Sequence, residues 1–401
     1  TIEPNTFGLD EFARWAARAQ VDIMMTLNLG TRGVAEALDL LEYANHISGT
    51  QLSDLRRSHG RQSPYGIRTW CLGNEMDGPW QLGHKTADEY GRLAAETARA
   101  MRMLNPDLEL VLCGSSASTM PTFGDWEEVA LGHAYELVDM ISAHAYYDPE
   151  AMSVESFLGS AVDLDRYLGK VIAIADRVGD RIGSKKRLSL SLDEWNVWYF
   201  QRHMEEGPPP GWREAPRISE DNYTVTDAVV VGSLLMTLLR RSDRVGIACL
   251  AQLVNSLGVI RTEPGGPAWR QAIYHPFALT AANSVGWVLA TTVDGPGYAT
   301  GEYGEVPVID AVVTHDAVAG NLSIFAVNRA TTSVGKLRVD LGELDGYQVR
   351  EHVTVADDDL GAANTEREPD RVAPRPGIHV RDGRQLCLEL APASWSFARL
   401  A

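Results

Sequence analysis

The alternation of apolar strands with helical patterns is the feature that most limits the folds open to this 401-residue chain. Six runs are apolar on both faces, which is typical of strands in a parallel sheet that is covered on both sides. These runs are residues 21–28, 67–75, 109–116, 138–146, 187–195 and 246–254. Helical periodicity fills the segments around them, at residues 9–19, 34–46, 86–104, 161–178 and 226–240. This order predicts an α/β fold with a parallel sheet.

Polar and charged residues collect where these predicted strands end. They are Asn28, Asn74, Glu75, His144, Tyr146, Glu194 and Gln252. In a (β/α)8 TIM barrel the active site is built at this end of the strands. A doubly wound sheet would place its ligand similarly, but the chain has neither a G-x-G-x-x-G after its first strand nor a phosphate-binding G-x-x-x-x-G-K-[ST]. The sequence therefore favours a TIM barrel, of which six strands are counted.

The local amino-acid composition changes at about residue 286, where Pro, Gly and Asp become frequent. Short strand-like runs follow one another, among them NLSIFAVNR, KLRVDLGEL and RQLCLELA, with turn signals between them. Such a pattern is typical of an antiparallel β-sandwich. We expect a catalytic barrel domain over residues 1–285 and a C-terminal β-sandwich domain over residues 286–401.

The amino-acid composition limits the classes of molecule that the chain is expected to bind. With 36 Lys and Arg against 54 Asp and Glu, the net charge is −18, which disfavours nucleic acid and anionic membranes. The four cysteines are scattered singly, at spacings that fit no zinc motif. We expect them to be reduced, which favours the cytoplasm.

Two glutamates at predicted strand ends indicate the chemistry. Glu75 and Glu194 are 119 residues apart in sequence, but they converge if both strands belong to one barrel. Two facing carboxyl groups suit cleavage of a glycosidic bond, because one donates a proton while the other stays ionised. Asn74 is placed to bond a sugar hydroxyl, and Tyr146 to hold the Glu194 carboxylate. We expect four aromatic residues to stack on sugar rings: Trp80, Trp195, Trp198 and Tyr199.

The segments WCLGNEMDGPWQLGHKTADEYGRLA and LSLDEWNVWY closely resemble the two active-site signatures of glycoside hydrolase family 51, the α-L-arabinofuranosidases. The resemblance continues through VDIMMTLNLGTRG, LVLCGSSASTMPTF and ACLAQLVN, and runs along essentially the whole chain. It implies a (β/α)8 barrel followed by a β-sandwich. It also implies Glu75 as general acid/base and Glu194 as nucleophile. By the same matching, the substrate-binding residues are Asn74, His144, Tyr146, Trp198 and Gln252.

This resemblance predicts a retaining, exo-acting α-L-arabinofuranosidase that acts on arabinofuranosyl oligosaccharides or polysaccharides. Retention requires the two carboxyl groups to lie about 5–5.5 Å apart, and the acid role predicts a raised pKa for Glu75. No metal or cofactor is expected, and the family implies a homo-oligomer, commonly a hexamer. By family order the first predicted strand is strand three, so strands one and two are expected to lie outside this chain. Two alternatives stay open: another glycosidase of the same clan, such as an endo-glucanase or a xylosidase, and an inactive truncated homologue.

Overall fold

A six-stranded parallel sheet forms the first part of the fold. The computed structural model describes residues 2–401. The strands are β1 (Met24–Thr26), β2 (Thr69–Leu72), β3 (Glu109–Leu112), β4 (Met140–Tyr147), β5 (Ser189–Val197) and β6 (Val245–Leu250). They lie side by side in chain order, and every neighbouring pair is parallel. Each strand falls on one of the six predicted runs, and the sheet with its helices has the architecture of a TIM-type barrel. Within residues 2–401, β1 and β6 are the edges of this sheet.

Among residues 2–401, ten α-helices accompany the strands. They are α1 (Leu9–Ala19), α2 (Val34–Asn45), α3 (Gln51–Ser58), α4 (Ala87–Leu104), α5 (Asp125–Ala134), α6 (Val154–Leu158), α7 (Ser160–Arg181), α8 (Phe200–Glu206), α9 (Val225–Arg240) and α10 (Tyr274–Asn283). Four of them begin in the same way, with a glutamate at the third helical position that accepts the backbone N–H of the residue before the helix. These glutamates are Glu11, Glu36, Glu89 and Glu127, and each satisfies a donor that the helix leaves unpaired. In the part of the chain that the structure describes, no helix combines the length and apolar character that a membrane crossing needs.

Alternate residues of the strands face opposite sides of the sheet. On β2, Trp70 and Leu72 join the large core formed with the helices, whereas Cys71 turns to the inner face. There it packs with Val111 and Met140 of the next two strands. The cysteines are free, as predicted, although Cys249 on the edge strand β6 is exposed.

Strand β5 departs from regular pairing next to the predicted nucleophile. Ser191 pairs with Ser142 and Glu194 with His144, so β5 advances three residues where β4 advances two. Against β6 it again advances three residues where its neighbour advances two. This extra residue is a β-bulge. It lets two successive side chains, Asp193 and Glu194, contact His144 on the inner face, where strict alternation would separate them.

The C-terminal part is a β-sandwich. The remaining strands are β7 (Ile260–Thr262), β8 (Ala268–Arg270), β9 (Trp287–Leu289), β10 (Gly297–Thr300), β11 (Gly304–Pro307), β12 (Ile309–Asp316), β13 (Asn321–Asn328), β14 (Gly335–Asp340), β15 (Val349–Val355), β16 (Arg375–Pro376), β17 (His379–Asp382), β18 (Gln385–Leu390) and β19 (Ser394–Leu400). One sheet of the sandwich has the order β16-β15-β19-β13-β12-β9 and the other the order β14-β18-β17, while β7 with β8 and β10 with β11 form two hairpins.

Helix α9 and a buried arginine join the sandwich to the barrel. Gly232 of α9 lies so close to Trp395 of β19 that a Cβ atom there would stand 2.1 Å from the indole Cδ1. The fully buried Arg329 donates to the carbonyl oxygens of Leu158 (3.0 Å) and Pro307 (2.9 Å), and its Nη2 lies 3.5 Å from Asp310 Oδ2. The two parts therefore share one packed interface.

Candidate active site

A sharp turn after β2 carries Glu75. Gly73 has φ 96°, and a Cβ atom there would lie 2.7 Å from Met76 Cγ, so only glycine fits this position without displacing its neighbour. Glu75 itself has φ 45°, in the left-handed region that non-glycine residues seldom adopt. Its carboxylate is fixed from two sides: Trp80 Nε1–H donates to Oε2 (2.6 Å), and His144 Nδ1 lies 3.0 Å from Oε1.

Glu194 reaches the same place from β5. The hydroxyl of Tyr146 on β4 donates to Glu194 Oε2 (2.9 Å), as the sequence led us to expect. One carboxylate oxygen of Glu75, one of Glu194 and a ring nitrogen of His144 lie within 4.8 Å of one another. Such a trio has the spacing of metal ligands, but N–H and O–H groups already donate into both carboxylates, as in an acid–base network. One oxygen of each carboxyl group lies within 4.8 Å of the other, which is closer than the spacing of about 6.5–9.5 Å between the carboxyl groups of inverting glycosidases.

His144 is the centre of this network. Its side chain is 3% exposed, and Nδ1 faces both Glu75 and Glu194, the latter at 3.7 Å. On the opposite side of the ring, Nε2 lies 3.2 Å from Asp193 Oδ1. Burial disfavours the charged imidazolium, but the contacts with Asp193 and Glu75 and the charge of Glu194 outweigh it and raise the pKa of His144 to about 10.

The pKa values of the two glutamates shift in opposite directions, and the shift of Glu75 contradicts the sequence prediction. Burial favours the protonated form of Glu75, but the hydrogen bond and charge of His144, aided by Trp80, outweigh burial and lower its pKa. For Glu194, burial is the largest influence and raises the pKa, despite the opposing charge of His144 and the hydrogen bond from Tyr146. The predicted raised pKa of Glu75 is therefore wrong, because it took account of the neighbouring carboxylate and not of an imidazolium 3.0 Å away.

The other residues predicted to bind sugar differ in how far they are exposed to solvent. Asn74 is exposed beside Glu75, and Gln252 is exposed just beyond the end of β6, with its backbone N–H bonded to the Leu257 carbonyl (3.0 Å). Trp198 is half-buried, and its indole meets the Tyr146 ring edge-on at a centroid distance of 5.3 Å.

Two of the four aromatic residues expected to stack on sugar do not face the site. Trp195 is fully buried and packs near Phe277 on the helix side of the sheet. Tyr199 is also buried, and its hydroxyl donates to Asp227 (2.9 Å). Both predictions are wrong. Trp195 follows Glu194 on β5 and therefore points to the opposite face, whereas Tyr199 lies beyond the end of β5, directly before α8, and is held away from the site by Asp227.

Asp193 is the site residue that the sequence reasoning missed. Its carboxylate lies between His144 and Cys71, whose thiol is 3.6 Å from Oδ2. The consecutive acids in LSLDEW were the available signal, but a regular strand would have pointed Asp193 away from Glu194.

Family models and relatives agree with this arrangement. A model described as the α-L-arabinofuranosidase 1 domain matches residues 1–165, and one described as the α-L-arabinofuranosidase C-terminal domain matches residues 193–394. An intracellular exo-α-(1→5)-L-arabinofuranosidase of Streptomyces lividans is 54% identical over the whole of this chain, which spans 61% of that protein. The intracellular exo-α-(1→5)-L-arabinofuranosidase 1 of Bacillus subtilis strain 168 is 46% identical over the whole of this chain, which spans 80% of that protein.

A solved structure shows the same fold. The family 51 α-L-arabinofuranosidase of Bifidobacterium longum superposes with a TM-score of 0.94 at 40% identity, covering 98% of this chain and 79% of the other. The chain therefore belongs to glycoside hydrolase family 51, the family of the α-L-arabinofuranosidases.

Proposed function

We propose that this chain is a retaining, exo-acting α-L-arabinofuranosidase, with Glu194 as nucleophile and Glu75 as general acid/base. The observation that carries the proposal is the pair of carboxylates, whose oxygens lie within 4.8 Å of each other at the ends of two strands of one sheet. A covalent mechanism needs this closeness, since no water has to fit between the second carboxylate and the anomeric carbon.

The reaction follows in two displacements. Glu194 attacks the anomeric carbon while Glu75 passes a proton to the glycosidic oxygen, which leaves with its aglycone. Glu75 then takes a proton from water as the water attacks the arabinosyl–enzyme, and the sugar departs with its configuration retained.

The roles of the two glutamates are assigned from their hydrogen bonds. Glu194 lies on a sheet strand and accepts the Tyr146 hydroxyl, which favours the ionised form that a nucleophile needs. Glu75 lies on a turn beside His144, a proton-carrying group that suits an acid/base.

The relatives suggest the substrate and the compartment. Those from Streptomyces and Bacillus are named intracellular exo-α-(1→5)-L-arabinofuranosidases, and one from Bifidobacterium longum, 45% identical, is named an exo-α-(1→6)-L-arabinofuranosidase. We propose that the substrate is a terminal arabinofuranosyl residue of an oligosaccharide or polysaccharide and that the protein is cytoplasmic. The homo-oligomer and the division at residue 286 stay predictions, testable by light scattering and by limited proteolysis.

The proposal is tested with a 4-nitrophenyl α-L-arabinofuranoside and two variants. Glu194→Ala should lose at least about a thousandfold in kcat, because the nucleophile is gone. Azide added to Glu194→Ala should give an arabinosyl azide of inverted configuration, whereas azide added to Glu75→Ala should give one of retained configuration. Glu205→Gln, an exposed glutamate of α8, is the matched control and should behave as the parent.

Two results would overturn the proposal. Hydrolysis by Glu194→Ala at near the parent rate would contradict the assignment of Glu194 as nucleophile. A retained azide product from Glu194→Ala and an inverted one from Glu75→Ala would mean that the two roles are reversed. A panel of aryl glycosides separates the open alternatives, since preference for a xyloside or glucoside indicates another glycosidase of the clan. Absence of hydrolysis by the parent on every member would favour an inactive homologue.

A further inference from the structure

Asp193 has no part in the two displacements, yet it is one of the most buried charged groups of the site. Its side chain is 9% exposed and lies on the inner face of the sheet, with Oδ1 3.2 Å from His144 Nε2. The two atoms form an ion-pair contact that is not aligned as a straight hydrogen bond. Oδ2 lies 3.6 Å from the Cys71 thiol, so the carboxylate has no cation beside it except the His144 ring in the described part of the chain.

We propose that Asp193 is a positioning residue that keeps His144 protonated, so that the proton used by the acid/base is shared between Glu75 and His144. The proposal rests on the function proposed above and adds a residue that does not touch substrate. Its basis is the order of the groups: Asp193 lies at Nε2, Glu75 at Nδ1, and the buried ring connects them.

One proton passes through the pair formed by Glu75 and His144 in each reaction cycle. Before the reaction, one proton is held on Nδ1 of His144 beside the ionised Glu75, at 3.0 Å. It moves to Glu75 and on to the glycosidic oxygen as the bond between that oxygen and the anomeric carbon breaks and Glu194 bonds to the carbon. Neutral His144 and ionised Glu75 remain. The attacking water returns one proton to this pair, and the Glu194 carboxylate is released.

The surroundings of His144 favour the charged ring. Three carboxylates face it: Glu75 from the turn after β2, and Asp193 and Glu194 from β5. The other titratable groups near it are uncharged and lie on β4, β2 and α7, namely the Tyr146 hydroxyl, the Cys71 thiol and the Tyr167 hydroxyl. No Lys or Arg of the described residues forms an ion pair with any of the three carboxylates. Removing one of three negative charges at this distance should weaken proton retention by an amount that can be measured.

The test is the pH dependence of kcat/KM for Asp193→Asn, which preserves shape and removes the charge. The alkaline limb of this pH profile reports loss of the shared proton. We expect its apparent pKa to fall by about 1–2 units, the size typical for loss of an opposite charge within ~4–6 Å. The loss of rate should also be larger for an alkyl arabinofuranoside than for the 4-nitrophenyl one, because a poor leaving group depends more on the proton.

Two further variants separate this role from a merely structural one. Cys71→Ala removes the neighbour at the other oxygen of Asp193, so it should lower the melting temperature and leave the alkaline limb in place. In a His144→Gln background, adding Asp193→Asn should shift the limb no further. An unchanged limb in Asp193→Asn, or an equal shift with and without His144, would overturn the proposal.

A measurement on the parent protein covers the case in which Asp193→Asn does not fold. The 15N shifts of the His144 ring, assigned by comparison with His144→Gln, should show both nitrogens protonated at pH 8. A neutral ring at pH 8 would refute the proposal. This measurement needs no turnover, so its outcome is independent of whether the protein hydrolyses an arabinofuranoside.

Discussion

Tyr146→Phe isolates one hydrogen bond to the proposed nucleophile. The substitution removes the hydroxyl that donates to Glu194 Oε2 at 2.9 Å and leaves the ring, with its edge-on contact to Trp198, in place. A hydrogen bond to a charged group is worth about 1.5–3 kcal/mol. At ~1.4 kcal/mol per pKa unit, its loss should change the pKa of Glu194 by about 1–2 units.

The sign follows from which form the hydroxyl stabilises. Burial already raises the pKa of Glu194, and the Tyr146 hydrogen bond opposes that rise by favouring the ionised carboxylate. Without this donor the pKa rises further, so a higher pH is needed to keep the nucleophile ionised. The acid limb of kcat/KM for an aryl arabinofuranoside should therefore move upward by about 1–2 pH units.

Tyr147→Phe is the matched control. Tyr147 is the next residue of β4, is buried on the opposite face, and donates its hydroxyl to Asp163 (3.1 Å). Its loss should reduce the free energy of unfolding by about 1 kcal/mol and leave the pH profile unchanged. The reasoning is refuted if the acid limb of Tyr146→Phe superimposes on that of the parent, or if Tyr147→Phe shifts it equally.

Two further predictions concern the interface between barrel and sandwich, and both are read from urea unfolding. Gly232→Ala should lower the free energy of unfolding by about 1–3 kcal/mol, because its Cβ would stand 2.1 Å from Trp395. The control is Gly132→Ala in helix α5, where the nearest atom to the new Cβ would be 3.9 Å away, and it should raise the free energy of unfolding by up to ~1 kcal/mol. Equal effects of the two substitutions would contradict the predicted clash with Trp395. Arg329→Met leaves Asp310 without one of its buried partners and should cost about 3 kcal/mol, whereas a loss below ~1 kcal/mol would show that the ion pair is dispensable.

The parallel sheet could be predicted because its strands are apolar on both faces. Trp70 and Val111 illustrate this, since one packs under the helices and the other on the inner face, and both are fully buried. The convergence of Glu75 and Glu194 followed from the same reasoning, because the C-terminal ends of parallel strands share one edge. The short edge strands of the sandwich, such as β9 and β16, carry too few residues to leave a pattern in the sequence.

The electrostatics of the site could not be predicted from strand periodicity. Alternation places Asp193 on the far side of the sheet from Glu194, and the bulge in β5 reverses that placement. The pKa order of the two glutamates depends on a ring nitrogen 3.0 Å from one and 3.7 Å from the other, a difference set by packing. Periodicity gives the face of a residue, and it does not give distances of this kind.

The bulge has a consequence for engineering the site. Its extra residue is defined against both neighbouring strands, so deletion of Leu192 would restore strict alternation, leave Glu194 opposite His144 and turn Asp193 to the other face of the sheet. Recombination with a relative, or transfer of the site to another barrel, should therefore exchange β4, β5 and β6 together. Crossover points inside this three-strand block should yield inactive chimaeras even where every catalytic side chain is retained.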